Sequence, residues 1–267
     1  MKYCADYFSE CKKLKEVDEI NVIFSSKNTD ILGFIEKYQP KRVNLCINNI
    51  KQEDIENQIK LAKAFIEKYP DTKFHLRIPF SKEETNKIVE IIKENNVSFY
   101  FSDFATTWDT LIGFLLLGVS DVFVAEDLGF ELDNVSEIVH AANAKVRVYP
   151  NIAQSSYPFC FDIDKFFIRP EDVKIYERYV DIFEFYGNIK KFDTLYEIYN
   201  QGYWNGPLRE IILNFYLPVD NREIVGLFGE IRAKCGKRCL KGKPCAICHR
   251  ILDLAETLKE NSLIITH

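Results

Sequence analysis

The sequence lacks the short motifs that identify many enzyme classes. It contains no GxGxxG, Walker, GxSxG or HExxH pattern, and only four of its 267 residues are histidines, one of them terminal. A histidine-based triad or a metalloprotease site is therefore not expected. No apolar run reaches the roughly 18 residues that a transmembrane helix needs, and the polar N-terminus has no apolar signal core. We therefore expect a soluble, cytoplasmic protein with no membrane partner.

The sequence is rich in cysteine, in a pattern typical of metal binding. Eight cysteines in a chain without an export signal are not expected to form a disulfide framework. Four of them, Cys235, Cys239, Cys245 and Cys248, lie within fourteen residues with the spacing C-x3-C-x5-C-x2-C. Glycine and proline between them let the backbone turn tightly, and nearby Lys and Arg side chains favour thiolates. Four thiolates fit either tetrahedral zinc or an iron–sulfur cluster, and the spacing does not choose between them.

The other cysteines and the charge distribution are less specific. Cys46 lies in an apolar segment and is expected in the core, whereas Cys4, Cys11 and Cys160 lie in segments that could approach the metal. The formal net charge is −5, but residues 232–250 contain seven Lys or Arg and no acid, which leaves −12 (−5 minus +7) for the rest. This basic segment could hold phosphate or balance the thiolate charge, and both interpretations remain open.

Strands alternate with helices along most of the chain. In the clearest unit, an apolar strand at 121–125 is followed by a helix and by a strand at 145–149 whose odd positions are polar. Such a βαβ unit enforces parallel pairing. Strands are predicted at residues 20–24, 42–47, 74–80, 97–101, 121–125, 145–149, 165–168 and 180–185. Eight strands with mostly helical connections predict a (β/α)8 TIM-type barrel, with the first and last of them adjacent at its closure.

The helices between these strands define the predicted domains. They are expected at residues 29–38, 53–69, 83–94, 108–117, 189–199, 207–215 and 223–233. Residues 151–164 show no helical period and predict an irregular loop near the barrel mouth. We therefore divide the chain into a barrel at 1–218 and a C-terminal helical extension at 219–267 that carries the four-cysteine module.

Polar side chains follow several strands at their C-terminal ends, where ligands bind in parallel α/β folds. Glu184 lies between Phe183 and Phe185, so it needs a buried cationic partner, for which Arg147 or Arg169 is suitable. The alternative is that these charges form structural ion pairs. The predicted site consists of Glu126 and Glu184 as acid/base or substrate-orienting residues, Arg147 and Arg169 as holders of an anionic group, and Arg77, Asp103, Asn151 and Tyr186 as further substrate-binding residues.

Three sequence blocks carry a resemblance to a known family. The blocks DVFVAEDLGFEL, KVRVYPNIAQ and FFIRPEDVKIYERYVDIFEFYG resemble the collagenase-like U32 peptidase family in a short, divergent form, over roughly residues 21–187. The resemblance implies a barrel that carries a four-cysteine [4Fe–4S] cluster and hydroxylates tRNA, rRNA or a quinone precursor without molecular oxygen. The cysteines of that family are typically spread through the later barrel, whereas here only Cys160 lies in that region.

The residues and the resemblance together favour one function and leave two alternatives. The favoured function is an iron–sulfur-dependent modifying enzyme of the oxygen-independent hydroxylase type, acting on a nucleobase or a small ring compound. Phe and Tyr residues near the later strands could stack on such a ring, or could simply be core. The first alternative is a nucleic-acid-binding or protein-binding module with a structural Cys4 zinc site. The second is a U32-type peptidase, although the sequence shows no nucleophile–base pair.

Overall fold

A parallel β-barrel forms the centre of the molecule. The computed structural model describes residues 2–6, 12–22, 30–47, 51–154, 166–186, 192–216 and 219–223. The strands in these ranges are β1 (Tyr3–Asp6), β2 (Glu19–Val22), β3 (Arg42–Cys46), β4 (Lys73–Ile78), β5 (Ser98–Phe101), β6 (Phe104–Ala105), β7 (Asp121–Val124), β8 (Lys145–Val148) and β9 (Ile182–Glu184). All of their pairings are parallel, in the order β5-β4-β3-β2-β1-β9-β8-β7-β6.

The two ends of this sheet meet, so the barrel is nearly closed. Only Ser102 and Asp103 separate β5 from β6, and β6 pairs with β7. Ser120, just before β7, donates its backbone N–H to the carbonyl of Phe99 in β5 at 2.8 Å. Strands β5 and β6 therefore act as two halves of one barrel strand. The prediction of a TIM-type α/β barrel is confirmed at this level, whereas the four-cysteine segment lies outside the described residues.

Two strand predictions are wrong. Strand β1 was not predicted; it lies between β2 and β9, so the predicted closure between the strands near Ile20 and Val180 is also wrong. Conversely, Phe166 in the predicted strand at 165–168 forms only an isolated antiparallel bridge, with Gln154. Its apolar side chain fills space against a glycine instead of extending the sheet. A Cβ atom added at Gly129 would lie 2.5 Å from the Phe166 ring.

The helices lie outside the barrel and match most of the predicted ones. They are α1 (Asp30–Tyr38), α2 (Gln52–Lys68), α3 (Thr85–Glu94), α4 (Trp108–Leu116), α5 (Glu126–Gly129), α6 (Leu132–Ala141), α7 (Val173–Tyr176) and α8 (Phe192–Gln201), with short 3-10 turns at Lys12–Glu16, Pro170–Asp172, Leu208–Glu210 and Asn221–Glu223. The helix predicted at 207–215 is wrong beyond its first turn, because Leu213 instead exchanges backbone hydrogen bonds with Asn151 and Ala153. No helix in the described part of the chain is long and apolar enough to cross a membrane.

Alternation along the strands separates an apolar layer from a polar one. Ile20, Val43 and Leu76 point outward and are buried in the hydrophobic core beneath the helices. Their strand neighbours Glu19 and Arg42 point inward and are also buried. Because side chains of a strand alternate between its two faces, the barrel has an apolar outer face and a largely polar interior. This polar interior contains the candidate site.

Tyr3 provides a test of the unpredicted strand β1. Its ring is stacked on Phe185 at 5.3 Å and meets Tyr196 of α8 edge-on at 5.4 Å, while its buried hydroxyl has no hydrogen-bond partner among the described residues. We predict that Tyr3→Ala lowers the free energy of unfolding by about 3–5 kcal/mol, since a large buried ring is lost. Tyr3→Phe should leave the free energy unchanged or raise it slightly, because it removes only an unpartnered hydroxyl.

Urea denaturation with a matched exposed tyrosine completes this test. The side chain of Tyr203 is 53% exposed, so Tyr203→Ala should change the unfolding free energy by no more than about 0.5 kcal/mol. Equal effects of Tyr3→Ala and Tyr203→Ala would show that β1 does not pack into the barrel.

Candidate functional site

A network of buried ion pairs fills the barrel interior. Among the described residues it joins three guanidinium groups to three carboxylates: those of Arg42, Arg77 and Arg147, and those of Glu19, Asp121 and Glu184. Arg147 lies at its centre and is fully buried. It donates hydrogen bonds to Glu184, at 3.0 Å, and to Glu19, and its Nε lies 3.5 Å from an oxygen of Asp121. One guanidinium thus contacts all three carboxylates.

Polar contacts close the end of the network that lies at the first residues of the strands, away from the mouth. This end, which contains Arg42 and Asp121, is called the deep end. Arg42 donates from both Nη atoms to Asp121 and from Nε to Asn44, at 2.9 Å for the latter. The Ser120 hydroxyl lies 2.6 Å from Asp121 and 3.2 Å from Nδ1 of His75. Burial, together with the charge of Arg42, lowers the pKa of His75 well below its ordinary value. His75 is therefore neutral near pH 7, and the deep end resembles a structural ion-pair cluster.

Glu184 is the central acceptor at the mouth end. Its Oε1 accepts hydrogen bonds from Arg77 at 2.8 Å, Asn21 at 2.9 Å and the Tyr149 hydroxyl at 3.0 Å, and its Oε2 accepts from Arg147. Burial by itself would raise the pKa of Glu184, but the two arginines and the hydrogen bonds outweigh it, so the pKa is lowered. Glu184 is therefore ionised at neutral pH and suited to accept hydrogen bonds, not to donate a proton.

Aromatic rings surround this carboxylate on the side of the mouth. The Tyr149 ring is stacked on Phe123 at 4.9 Å and meets Phe104 and Tyr186 edge-on at 5.6 and 5.3 Å. The guanidinium of Arg77 lies over the Phe123 ring at 5.2 Å. Tyr186 is 53% exposed, so its ring is accessible from outside the barrel. A flat, partly polar ligand would find stacking surfaces here, next to fixed hydrogen-bonding groups.

The structure brings several predicted site residues together. Arg147, and not Arg169, is the buried partner of Glu184, and Arg77 is a second one. Asn151 fixes the mouth, because its side-chain amide donates to the carbonyl of Tyr186 at 2.7 Å and its amide oxygen accepts from the Tyr186 N–H at 3.1 Å. Tyr149 links these residues, because its hydroxyl bonds to Arg77 and Glu184 and its ring contacts that of Tyr186. The connected predicted residues are Arg77, Arg147, Asn151, Glu184 and Tyr186.

Two other predicted residues do not join this set, and the side chain of a third is not described. Arg169 is buried in a separate cluster, where it binds Asp172 at 2.6 and 2.9 Å and Asn221 at 3.3 Å. Its guanidinium is thus not a ligand of Glu184, because the nearer Asp172 engages it. Asp103 is exposed and accepts a hydrogen bond from the backbone of Phe80. Glu126 begins α5 and is separated from the end of β7 by one residue, but its side chain lies outside what the structure describes.

Part of the network was not predicted from the sequence. Glu19, Arg42 and Asp121 stand at the first positions of their strands, away from the strand ends where a site is usually sought. The signal that identifies them is alternation: Glu19 shares a strand face with Asn21, and Arg42 with Asn44. Polar residues two apart on successive strands of a barrel predict an inward-facing polar layer.

The predicted metal ligands lie outside the described residues, as do Cys11 and Cys160. Within the described part of the chain, no three metal-ligating side chains come together. Cys4 points into the barrel interior, where its thiol donates to Asn21 at 3.4 Å. Burial, followed by the charge of Glu184, raises the pKa of Cys4. Cys4 is therefore a thiol here and not a thiolate, which makes it a poor metal ligand.

Comparisons with known proteins give no family for this chain. No protein-family model matches it, and no curated protein matches it. A crystal structure of an enolase from Pseudomonas fluorescens Pf0-1 with bound magnesium, potassium and tartrate is 13% identical over 44% of this chain and 33% of that one, with a TM-score of 0.29. The matched region spans about a third of that enolase. A likeness at this level carries no functional argument.

The position of Glu184 predicts the effect of removing its charge. Glu184→Gln should leave Arg77 and Arg147 without this carboxylate and lower the free energy of unfolding by about 3–5 kcal/mol. The folded-state pKa of Glu184 is lowered. The contribution of its charge to the free energy of unfolding is therefore complete above the unfolded-state pKa of about 4.3, and it is lost as the pH falls through the folded-state pKa. The difference from wild type should therefore be constant at neutral pH and shrink in acid.

Urea denaturation across this pH range measures the effect. Glu137→Gln on the exposed face of α6 is the matched control, and it should change the unfolding free energy by no more than about 0.5 kcal/mol at any pH. If Glu184→Gln is as stable as this control, the carboxylate does not hold the network together.

Proposed function

We propose that this chain is an iron–sulfur-dependent modifying enzyme of the oxygen-independent hydroxylase type. Its substrate would be a nucleobase or a small ring compound bound at the barrel mouth. Cys235, Cys239, Cys245 and Cys248 would hold a [4Fe–4S] cluster. The fold, a barrel whose mouth carries fixed polar groups and accessible aromatic rings, is compatible with this activity but hosts many others.

The observation that carries the proposal is the group of four closely spaced cysteines at 235–248. Four closely spaced thiols among basic side chains suit a thiolate-ligated cluster, because cationic neighbours favour thiolates and offset the negative charge of the cluster. Cys46 and Cys4 lie in barrel strands, and Cys4 is buried as a thiol, so neither competes for this role in the described structure. When bound, such a cluster supplies electron transfer.

The described residues supply binding and orientation. Glu184 is a fixed anionic acceptor toward which a substrate N–H or O–H can be oriented, and the exposed Tyr186 ring offers a face for stacking. The bond between Asn151 and the Tyr186 backbone holds that ring at the mouth. Glu126 begins α5 just after the C-terminal end of β7, at the same end of the barrel, and we propose it as the acid/base residue. Glu184 stands at the end of β9, which keeps its geometry rigid.

Protein purified without oxygen tests the cofactor directly. We predict broad visible absorption and stoichiometric iron and sulfide. Cys248→Ser should abolish the absorption, because the thiolate is a cluster ligand, while the melting temperature of the barrel changes little. Cys46→Ser is the matched control, since it replaces a partly exposed cysteine of β3, and it should retain the iron.

The same preparation separates the alternatives. Stoichiometric zinc without iron would contradict the proposal and favour the binding module with a structural Cys4 site. Peptide hydrolysis that persists in Cys248→Ser would favour the peptidase. The proposed localisation is the cytoplasm, where the thiols remain reduced.

A further inference from the structure

One guanidinium of the barrel network is accessible from the mouth. The side chain of Arg77 is 14% exposed, whereas those of Arg42 and Arg147 are 3% and 0% exposed. Arg169, in the separate cluster, is also buried. Among the arginines of these two clusters, therefore, only Arg77 can contact a ligand without rearrangement of the structure.

Arg77 also retains hydrogen-bonding capacity. Its Nη1 donates to Glu184 at 2.8 Å and its Nη2 to the Tyr149 hydroxyl at 2.8 Å. A guanidinium has five N–H groups, so three of them, including that of Nε, have no partner among the described residues. Two adjacent N–H groups of an arginine match the two oxygens of a carboxylate or a phosphate. The orientation of Arg77 is already fixed by its two existing bonds and by its contact with the Phe123 ring.

The two arginines nearest the mouth share one carboxylate. Arg77 and Arg147 both donate to Glu184, at 2.8 and 3.0 Å, and Arg147 also donates to Glu19. Arg77 forms an ion pair with no other carboxylate of the described residues. The charge of Arg77 is therefore offset only by a carboxylate that a second guanidinium also contacts, which favours the approach of a further anion.

We propose that the barrel mouth binds a singly charged oxyanion, a carboxylate or a phosphodiester-type group, on Arg77. The anion would be part of the substrate and would place it beside Glu184 and the Tyr186 ring. This assignment to the substrate rests on the proposed function, but the anion site itself needs no metal. Arg147 and Arg169, which the sequence suggests as anion holders, are buried against internal carboxylates, whereas Arg77 is partly exposed and takes that role.

Calorimetric titration of the full-length protein, purified without oxygen, tests the proposal. Benzoate is the probe for an aromatic carboxylate, benzamide is its neutral counterpart of nearly the same shape, and dimethyl phosphate stands for a phosphodiester. We expect saturable binding of at least one of the two anions, and benzamide binding at least tenfold weaker than benzoate if benzoate is the one bound. Arg77→Gln should weaken anion binding at least tenfold and leave benzamide binding unchanged.

The variant is chosen so that folding does not obscure the result. In Arg77→Gln the carboxylate of Glu184 keeps its bonds from Arg147, Tyr149 and Asn21, so the barrel should fold. If the variant does not fold, thermal melts of the wild-type protein replace the titration of the variant. An anion that binds the folded state should raise the melting temperature more than benzamide does. Arg77→Lys keeps the positive charge but loses the paired N–H groups of the guanidinium, so it should bind the anion with intermediate affinity.

The outcomes separate the anion source and the two proposals. Binding of dimethyl phosphate alone that depends on Arg77 assigns the site to a nucleotide phosphodiester, and binding of benzoate alone assigns it to a small carboxylate. No anion binding, equal binding of benzoate and benzamide, or binding that survives Arg77→Gln would overturn the anion site. Iron content measures the cofactor independently, so failure of the hydroxylase proposal and failure of the anion site give different results.

Discussion

The structure depends on the guanidinium of Arg147 inside the barrel. It is fully buried and contacts the carboxylates of Glu19, Asp121 and Glu184, which come from three different strands. Without that charge, three buried carboxylates would depend on the remaining cations, and an uncompensated buried charge is among the most destabilising changes a core can undergo. The outer face of the same strands is apolar, so hydrophobic burial holds the helices to the barrel while electrostatics hold its interior.

This arrangement determines where chemistry can take place. The deep end is closed by Arg42 and Asp121, whose side chains are almost wholly buried, and therefore offers no access to a ligand. At the mouth, Glu184, Arg77 and the Tyr149 hydroxyl are already oriented by one another, next to the accessible Tyr186 ring. Groups held in place before a ligand arrives need little reorganisation when it binds. The interior network thus serves as the support of the mouth.

The sequence predicted most of the barrel because its strands are apolar on one face and regularly spaced. It did not predict β1, since YCAD is only four residues long and lies in a polar, charged N-terminus. It wrongly predicted a strand near Phe166, since a buried irregular segment and a buried strand have the same apolar composition. The contact between Arg147 and Glu184 was predictable from an acid in an apolar run, whereas the separation of Arg169 depends on Asp172, a local partner whose preference sequence spacing does not reveal.

A double-mutant cycle measures the interaction on which this account depends. The free energies of unfolding of wild type, Arg147→Gln, Glu184→Gln and the double variant would be compared by urea denaturation at neutral pH. We predict a coupling energy of at least about 1.5 kcal/mol, because residues in one buried ion-pair network are strongly non-additive. The double variant should then lose clearly less stability than the sum of the two single changes. Additive losses would contradict the account, since they would show that Arg147 does not stabilise the carboxylate at the barrel mouth.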